Sequence, residues 1–202
     1  MEAIRPLGVS ACTKPESQKE DQELTEHITQ PGHPTPPMSL SSTDGQEIRL
    51  GGKGRWQVAV VYRGQHCPLC RKYLATLNNL LEDFQAAGAE VIAISGDPRE
   101  RASDEAAEEG WRFPVACDLS QDQMSELGLY ISAPRSAQET DRPFPEPGLF
   151  VTNPDGLLQI VDISNAPFAR PDLQGVLNGL KFIQDKNYPI RGTAASDAGD
   201  PT

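Results

Sequence analysis

The sequence predicts an α/β domain in which a central mixed sheet is flanked by helices. Strand-like and helix-like segments alternate along the chain, which is typical of layered α/β folds. Residues 56–62 and 90–95 are nearly continuous apolar runs, as expected of strands covered on both faces. Residues 153–156 read Asn-Pro-Asp-Gly, a turn that joins its two flanking segments into an antiparallel hairpin, so the sheet is mixed rather than purely parallel.

Composition bounds the size of this domain. A chain of 202 residues with 37% hydrophobic content suits one core of about 150 residues plus extra segments. Residues 1–37 hold six prolines and an acidic run, and they have too few large apolar groups to offset the entropy of ordering. We therefore predict disordered tails at 1–37 and 193–202 and one domain at 38–192.

Charge and cysteine content narrow the class of protein. A net charge of −11 and a pI near 4.7 argue against nucleic acid as a partner, because phosphate binding needs a basic face. No apolar stretch approaches the ~20 residues of a membrane helix, so no membrane partner is expected, and the N-terminus lacks a secretory apolar region. Four cysteines are too few for a disulfide scaffold, which favours a reducing compartment, the cytoplasm.

The elements follow in order from local patterns. Residues 40–50 contain Asp44-Gly45, a hairpin signal. Residues 68–87 carry apolar side chains at helical spacing and stop at Gly88. The remaining elements are predicted as a charged surface helix at 98–109, a short strand at 113–117, a short helix at 120–127, hairpin strands at 148–152 and 157–163, and a closing helix at 171–186. Residues 132–146 are long for a loop and suggest a lid or binding rim.

Cys67-Pro68-Leu69-Cys70 is the most informative motif. It follows the strand at 56–62 and opens the helix at 68–87. Two thiols three positions apart at a helix start can close and reopen a disulfide across one turn. Unpaired backbone N–H groups there favour a thiolate at Cys67, and Pro68 suits the first turn because its missing N–H is no loss.

Three charged or titratable neighbours support Cys67 as the attacking thiolate. Arg63, His66 and Arg71 would add positive charge that lowers its pKa. A shift from ~8.5 to ~7 corresponds to about 2 kcal/mol and raises the thiolate fraction at neutral pH to about half. Each of these residues also has a plainer interpretation as an exposed loop residue or a solvated surface charge.

Three further stretches resemble the peroxiredoxin branch of the thioredoxin fold, the alkyl hydroperoxide reductase and thiol-specific antioxidant family. They are Ser95-Gly96-Asp97 with Trp111 downstream, Gly148-Leu149-Phe150-Val151 before Asp155-Gly156, and the run at 165–170, Asn-Ala-Pro-Phe-Ala-Arg. The resemblance spans about residues 38–190. It implies a thioredoxin-like fold with peroxiredoxin-type additions and an antioxidant oxidoreductase.

The chain departs from this family at its active-site motif. Peroxiredoxins carry Pro-x-x-x-Thr-x-x-Cys, and here Arg63 replaces the proline, Cys67 the threonine, and Cys70 takes the peroxidatic position. The family's arginine before the Gly-Leu-Phe segment is Pro147, at a point where thioredoxins place a cis proline. The donors that polarise a peroxide O–O bond are therefore missing, and the site resembles that of a thioredoxin.

These observations favour a thiol–disulfide oxidoreductase in which Cys67 attacks a substrate disulfide and Cys70 resolves the mixed disulfide. A thiol peroxidase that reduces hydroperoxides, with Cys70 or Cys67 as the peroxidatic residue, stays open, and so does a noncatalytic interaction module. The family resemblance implies a thiol reductant of the thioredoxin or glutathione type, no cofactor, and compatibility with a homodimer.

The remaining cysteines and histidines offer plainer alternatives. A Cys-x-x-Cys pair is also half of a zinc site, but closing one needs two more ligands at workable spacing. Cys117 lies in a predicted strand and suits a core position or, less simply, a second resolving thiol. Cys12 is interpreted as incidental. The only other candidate metal ligands are His27, His33 and His66, so we predict no metal site.

Overall fold

A computed structural model describes residues 29–194 of the chain. Its main sheet has seven strands in the order β2-β1-β5-β4-β3-β8-β9, and a second sheet pairs β6 with β7. The strands are β1 (Met38–Ser42), β2 (Glu47–Leu50), β3 (Trp56–Val61), β4 (Ala89–Ile94), β5 (Val115–Cys117), β6 (Ile131–Ser132), β7 (Phe144–Pro145), β8 (Gly148–Thr152) and β9 (Leu158–Ile163).

The strand directions confirm the predicted mixed sheet. β4 runs parallel to both of its neighbours, β3 and β5. β8 is antiparallel to β3, and β9 is antiparallel to β8 as the Asn-Pro-Asp-Gly turn predicts. β1 and β2 form the hairpin predicted from Asp44-Gly45. The α/β fold with a thioredoxin-like sheet is therefore confirmed.

Five helices cover this sheet within the described residues. They are α1 (Pro68–Asn79), α2 (Leu81–Ala86), α3 (Arg99–Glu108), α4 (Gln121–Glu126) and α5 (Leu173–Lys186). The prediction of one helix over 68–87 is wrong, because the backbone at Leu80 leaves the helical region at φ −92° and ψ 0°. The Leu80 N–H donates to the carbonyls of both Thr76 and Leu77, a tightening typical of a 3₁₀ turn.

Side chains alternate between two apolar layers along β3. Val58 and Val60 belong to the layer beneath α1, α2 and α5, whereas Ala59 and Val61 belong to the layer on the other face. Both faces of β3 are buried, which is why its sequence is an apolar run without polar alternation. Cys67 and Cys70 pack in the first of these layers, so the motif is part of the core.

Two segments outside the regular elements have defined positions. The Gly32 N–H donates to the Leu158 carbonyl at 2.8 Å, and the Thr35 N–H donates to the Gly156 carbonyl at 3.0 Å. The described fold thus extends N-terminal to the predicted boundary at residue 38.

Residues 132–146, predicted as a loop, begin and end in β6 and β7, which pair antiparallel. Of the predicted tails at 1–37 and 193–202, residues 1–28 and 195–202 lie outside the described residues.

Among the described residues, no helix combines the length and the apolar character needed to cross a membrane.

Burial of the α2 face is testable with a matched pair of phenylalanines. Phe84 is fully buried and Phe182 is 50% exposed. Phe84→Ala should lower the free energy of unfolding by about 3–5 kcal/mol, because it leaves a cavity in the core. Phe182→Ala should lower it by less than about 1 kcal/mol. Urea denaturation of both variants measures the two values, and equal losses would contradict the packing described for α2.

Candidate active site

The two cysteines are joined at the start of α1. Cys67 is the N-cap residue and Pro68 is the first helical residue. A disulfide links Cys67 to Cys70, and their Cα atoms are 5.3 Å apart, within the usual range for such a bond. The Cys70 backbone N–H donates to the Cys67 Sγ at 3.2 Å. The sulfur of Cys67 therefore occupies the position where a helix start presents free N–H groups.

The two sulfurs differ in their access to solvent. A cavity of about 860 Å³ is lined by Arg63, His66, Cys67, Pro68 and Arg71, but not by Cys70. Cys67 is 2% exposed and Cys70 is fully buried. Cys67 thus lines the cavity although almost all of its surface is buried. An incoming group reaches Cys67 first, with Cys70 behind it.

Asp97 fixes the loop that leads into Cys67. Its carboxylate is buried and accepts the Gln65 backbone N–H at 2.7 Å. Arg101 donates to the other oxygen at 3.3 Å. Gly64 lies against this carboxylate at φ +120°, a conformation that favours glycine. Sequence reasoning did not assign Asp97 to the site, although the Ser95-Gly96-Asp97 motif contained it.

Arg63 lies beside the cavity in an acidic and aromatic setting. Its guanidinium is 3.5 Å from a Glu139 oxygen and 3.4 Å from a Glu146 oxygen. The same guanidinium lies 4.6 Å from the centre of the Phe144 ring, a cation–π contact. Because two carboxylates face it, Arg63 adds little net positive charge to the cavity.

His66 does not supply the positive charge expected of it. Its ring packs on Phe144 with ring centres 4.6 Å apart. Burial, followed by the charge of Arg63, lowers the pKa of His66 from its ordinary value of 6.5, so the imidazole is neutral at neutral pH. The expectation that His66 adds positive charge at neutral pH is therefore wrong.

Arg71 connects the Cys67 loop to two acidic side chains of α3. It donates to the Gln65 carbonyl at 3.0 Å. Its Nε lies 3.6 Å from a Glu105 oxygen and 3.7 Å from a Glu109 oxygen. Arg71, like Arg63, thus faces two carboxylates. The backbone N–H groups at the start of α1 remain as the main positive influence on Cys67.

Glu105 is a buried acid that sequence reasoning missed. The residue is 1% exposed, and neither carboxylate oxygen makes a hydrogen bond. Burial, followed by the charge of Asp97, raises the pKa of Glu105 to about 7. Residues 98–109, which include α3, were predicted to form a charged surface helix. Ala102 is nevertheless buried, as Glu105 is, so α3 has a buried face. An alanine three positions before a glutamate was the signal that Glu105 shares the buried face.

Pro147 is buried immediately before β8 but does not line the cavity. The cis proline that the likeness to thioredoxins implied at this point is not found, because the described residues contain no cis peptide bond. The Pro147 carbonyl accepts the Ser164 N–H at 2.9 Å, which ties this point to the end of β9.

Residues 135–141 form one wall of the cavity. Arg101 of α3 holds this wall through Asp141 at 3.1 Å, and Arg63 holds it through Glu139. Within the wall, Arg135 pairs with Glu139 at 3.0 Å. The segment predicted as a lid or rim is thus attached to the body of the protein by two arginines.

The remaining cysteines and candidate metal ligands lie apart from the Cys67–Cys70 pair or outside the described residues. Cys117 is a buried free thiol in β5 that donates to the Ser41 carbonyl at 3.2 Å, and burial raises its pKa. These surroundings suit a core residue. Within residues 29–194, no cluster of three or more His, Cys, Asp or Glu side chains has a metal-binding arrangement. Cys12 and His27 lie outside the described residues.

Comparison with known proteins identifies the family. The model of the AhpC/TSA family matches residues 31–161. A Mycobacterium tuberculosis protein whose name assigns it to the peroxiredoxins is 29% identical over 101 residues, which cover 50% of this chain and 64% of that protein. The chloroplastic peroxiredoxin Q of Sedum lineare is 28% identical over 131 residues, covering 64% of this chain and 67% of that protein. The matches thus span about two thirds of these relatives.

Solved structures resemble the chain in fold. A peroxiredoxin-like protein from Aquifex aeolicus superimposes with a TM-score of 0.65 at 19% identity, covering 76% of this chain and 86% of that one. The peroxidoxin BcpB of Mycobacterium tuberculosis gives a TM-score of 0.64 at 19% identity, covering 77% and 98%. The chain belongs to the AhpC/TSA family, as the resemblance of its motifs predicted.

The contact between Gly64 and Asp97 is testable by adding one methyl group. A Cβ at position 64 would lie 2.5 Å from an Asp97 oxygen. Gly52 has a similar φ of +92° but open space around it. Gly52→Ala should destabilise the fold by about 1–2 kcal/mol through backbone strain alone. Gly64→Ala should lower the free energy of unfolding by about 1–3 kcal/mol more than Gly52→Ala does, and it should slow alkylation of Cys67. Denaturant melts and alkylation rates measure both, and equal effects would contradict the anchoring role of Asp97.

The raised pKa of Glu105 predicts a pH-dependent stability. The folded protein, with a pKa of about 7, binds more protons than the unfolded chain, with a pKa near 4.5. Stability contributed by this group therefore falls as pH rises from about 4.5 to about 7. Glu105→Gln should be more stable than the parent by about 1–3 kcal/mol at pH ~8, and the gain should shrink at pH ~5.

The exposed Glu108 on the same helix provides the control. Glu108→Gln should change stability by less than about 0.5 kcal/mol at either pH. Thermal melts across this pH range measure both variants. A gain for Glu105→Gln that does not vary with pH would show that this carboxyl does not titrate as described.

Proposed function

We propose that the protein is a thiol–disulfide oxidoreductase in which Cys67 and Cys70 form the redox pair. The observation that carries the proposal is the asymmetry of the two sulfurs. Cys67 lines the cavity at the start of α1, and Cys70 is closed off behind it. This is the arrangement that an attacking and a resolving thiol require.

The proposed cycle starts from the reduced pair. The Cys67 thiolate attacks one sulfur of a substrate disulfide, and the other substrate sulfur leaves and takes up a proton. Cys70 then loses its proton and attacks the Cys67 Sγ, which releases the second substrate thiol. The substrate gains two electrons and two protons, and the Cys67–Cys70 disulfide forms. A thiol reductant of the thioredoxin or glutathione type reverses this step.

Backbone groups are the proposed source of Cys67 reactivity. The Sγ already accepts the Cys70 N–H, and this donor becomes stronger when the sulfur is a thiolate. Pro68 leaves one fewer N–H to satisfy at this end of the helix. Arg63 and Arg71 are proposed to position the loop and the cavity wall rather than to supply unbalanced charge, because each faces two carboxylates.

The cavity wall suggests that access of a substrate to Cys67 is restricted rather than open. The cavity wall at 135–141 must admit the substrate disulfide, and its arginine contacts to the body are the ones that an entering group would displace. A reducing compartment such as the cytoplasm fits this proposal, since a reductant there would return the pair to its dithiol form. A homodimer is compatible with it.

A thiol peroxidase is the second candidate, and membership of the AhpC/TSA family favours it. In that reaction a cysteine thiolate attacks a hydroperoxide oxygen, the O–O bond breaks, and an alcohol or water leaves. The second cysteine then displaces hydroxide from the sulfenic acid, which forms the same disulfide. Cys67 and Pro147 stand where the family has its threonine and arginine, so this chain lacks those two donors.

Paired assays on the reduced protein separate these candidates. Insulin-disulfide reduction and hydrogen peroxide consumption should be run side by side with dithiothreitol as the reductant. We expect insulin reduction to be accelerated at least ~10-fold over the reductant alone, with slower peroxide loss. The reverse result would support the peroxidase, and neither activity would support a noncatalytic interaction module.

Variants assign the roles of the two thiols. Cys67→Ser should abolish turnover, whereas Cys70→Ser should accumulate mixed disulfides with substrate, because the resolving attack is lost. Cys117→Ser is the matched control and should keep full activity, since Cys117 lies in β5 away from the cavity. Mass spectrometry of the trapped species identifies the linked cysteine. Full activity in Cys67→Ser would reverse the assignment.

A further inference from the structure

Glu105 is the buried titratable group that the proposed cycle leaves without a role. A carboxylate in a protein interior is costly unless it is paired, and the ion pair that the described residues give Glu105 is the one with Arg71 at 3.6 Å. Neither of its oxygens has a partner at full hydrogen-bond geometry, although the Tyr62 hydroxyl lies close enough to act on its pKa. Its surroundings therefore indicate a functional use.

The groups around Glu105 come from four parts of the fold. Arg71 of α1 is its positive neighbour at 3.6 Å. Glu109, the C-cap residue of α3, competes for the same guanidinium at 3.7 Å. The charge of Asp97 in the loop after β4 opposes ionisation of Glu105. The buried Tyr62 hydroxyl, just after β3, lies close to Glu105, and burial followed by the Glu105 charge raises the pKa of Tyr62.

Arg71 links this acid to the redox pair. Its guanidinium donates to the Gln65 carbonyl, two residues before Cys67, and its backbone N–H donates to the Cys67 carbonyl at 3.2 Å. Arg71 also lines the same cavity as Cys67. The guanidinium thus lies between the buried carboxylate and the loop that carries the reacting sulfur.

We infer that Glu105 is a positioning residue that sets the pKa of Cys67 by controlling the charge that Arg71 presents to the cavity. When Glu105 is ionised, it neutralises Arg71. When Glu105 takes up a proton, Arg71 keeps only the partly exposed Glu109 as an ionised partner, and more of its positive charge stabilises a thiolate. The inference rests on the proposed function in one respect, the choice of Cys67 as the attacking thiol.

The thiolate and Glu105 therefore compete for one guanidinium. Ionisation of either group makes ionisation of the other harder, so their titrations are coupled. A pKa of Glu105 near 7 places this coupling in the pH range where Cys67 must form its thiolate. We expect the pH dependence of Cys67 reactivity to be broader than that of a single ionising group.

The test follows alkylation of Cys67 by iodoacetamide in the full reduced chain as a function of pH, with the modified residue identified by mass spectrometry. Glu105→Gln should lower the midpoint by about 0.5–1 pH unit and restore the shape of a single titration. Glu105→Met, which also lacks the charge, should do the same and serves if the glutamine variant folds poorly.

Two comparisons isolate the route through Arg71. Glu109→Gln removes the more exposed partner of the same guanidinium, and the broad titration should persist, because Glu105 remains. In an Arg71→Gln background, Glu105→Gln should shift the midpoint by less than about 0.3 unit.

An unmoved midpoint in both Glu105 variants, or an equal shift with and without Arg71, overturns this inference while leaving the redox pair intact. A Cys67 that shows no titration at any pH overturns the inference and the proposed function together. A purely structural role for Glu105 would change the melting temperature without moving the midpoint or the shape of the curve.

Discussion

The position of one sulfur at the first turn of α1 is the constraint on which the rest of the site depends. Cys67 must cap the helix, pair with Cys70 and face the cavity at the same time. The loop before it is held for this purpose by the buried Asp97 carboxylate, which accepts the Gln65 N–H, and by Arg71, which donates to the Gln65 carbonyl. Asp97 follows β4, the strand parallel to β3, and parallel strands bring their C-terminal ends to the same edge of the sheet. The topology of the sheet therefore places the anchor beside the loop.

Much of the fold could be predicted because its signals are local or periodic. The apolar run of β3 and the turn at 153–156 required no knowledge of distant contacts, and both elements lie where they were expected. The break at Leu80 could not be predicted, since leucine is a good helix former and the apolar spacing continues across it. The pairing of residues 32–35 with the β8–β9 turn could not be predicted either, because four prolines in residues 31–37 suggested an irregular segment, and the hydrogen-bond partners are backbone groups far along the chain.

The site was predictable in its reacting atoms but not in its charges. Cys67 and Cys70 could be found from spacing alone, since three positions span one helical turn. The charge that Arg63 contributes to the cavity could not be predicted, because its partners Glu139 and Glu146 lie some 80 residues further along the chain. Glu139 belongs to the cavity wall and Glu146 follows it. The cavity is consequently close to charge balance rather than positive. Reactivity then depends on backbone donors at the helix start and on which acids are ionised.

A redox titration of the whole chain tests the central claim most directly. The protein would be equilibrated in glutathione redox buffers of graded ratio, extended to lower potentials with dithiothreitol, then quenched and mapped for disulfides by mass spectrometry. The account predicts one two-electron transition between about −270 and −120 mV in which only Cys67 and Cys70 become linked. A pair that stays reduced throughout this range, or a disulfide that involves Cys117, would contradict it.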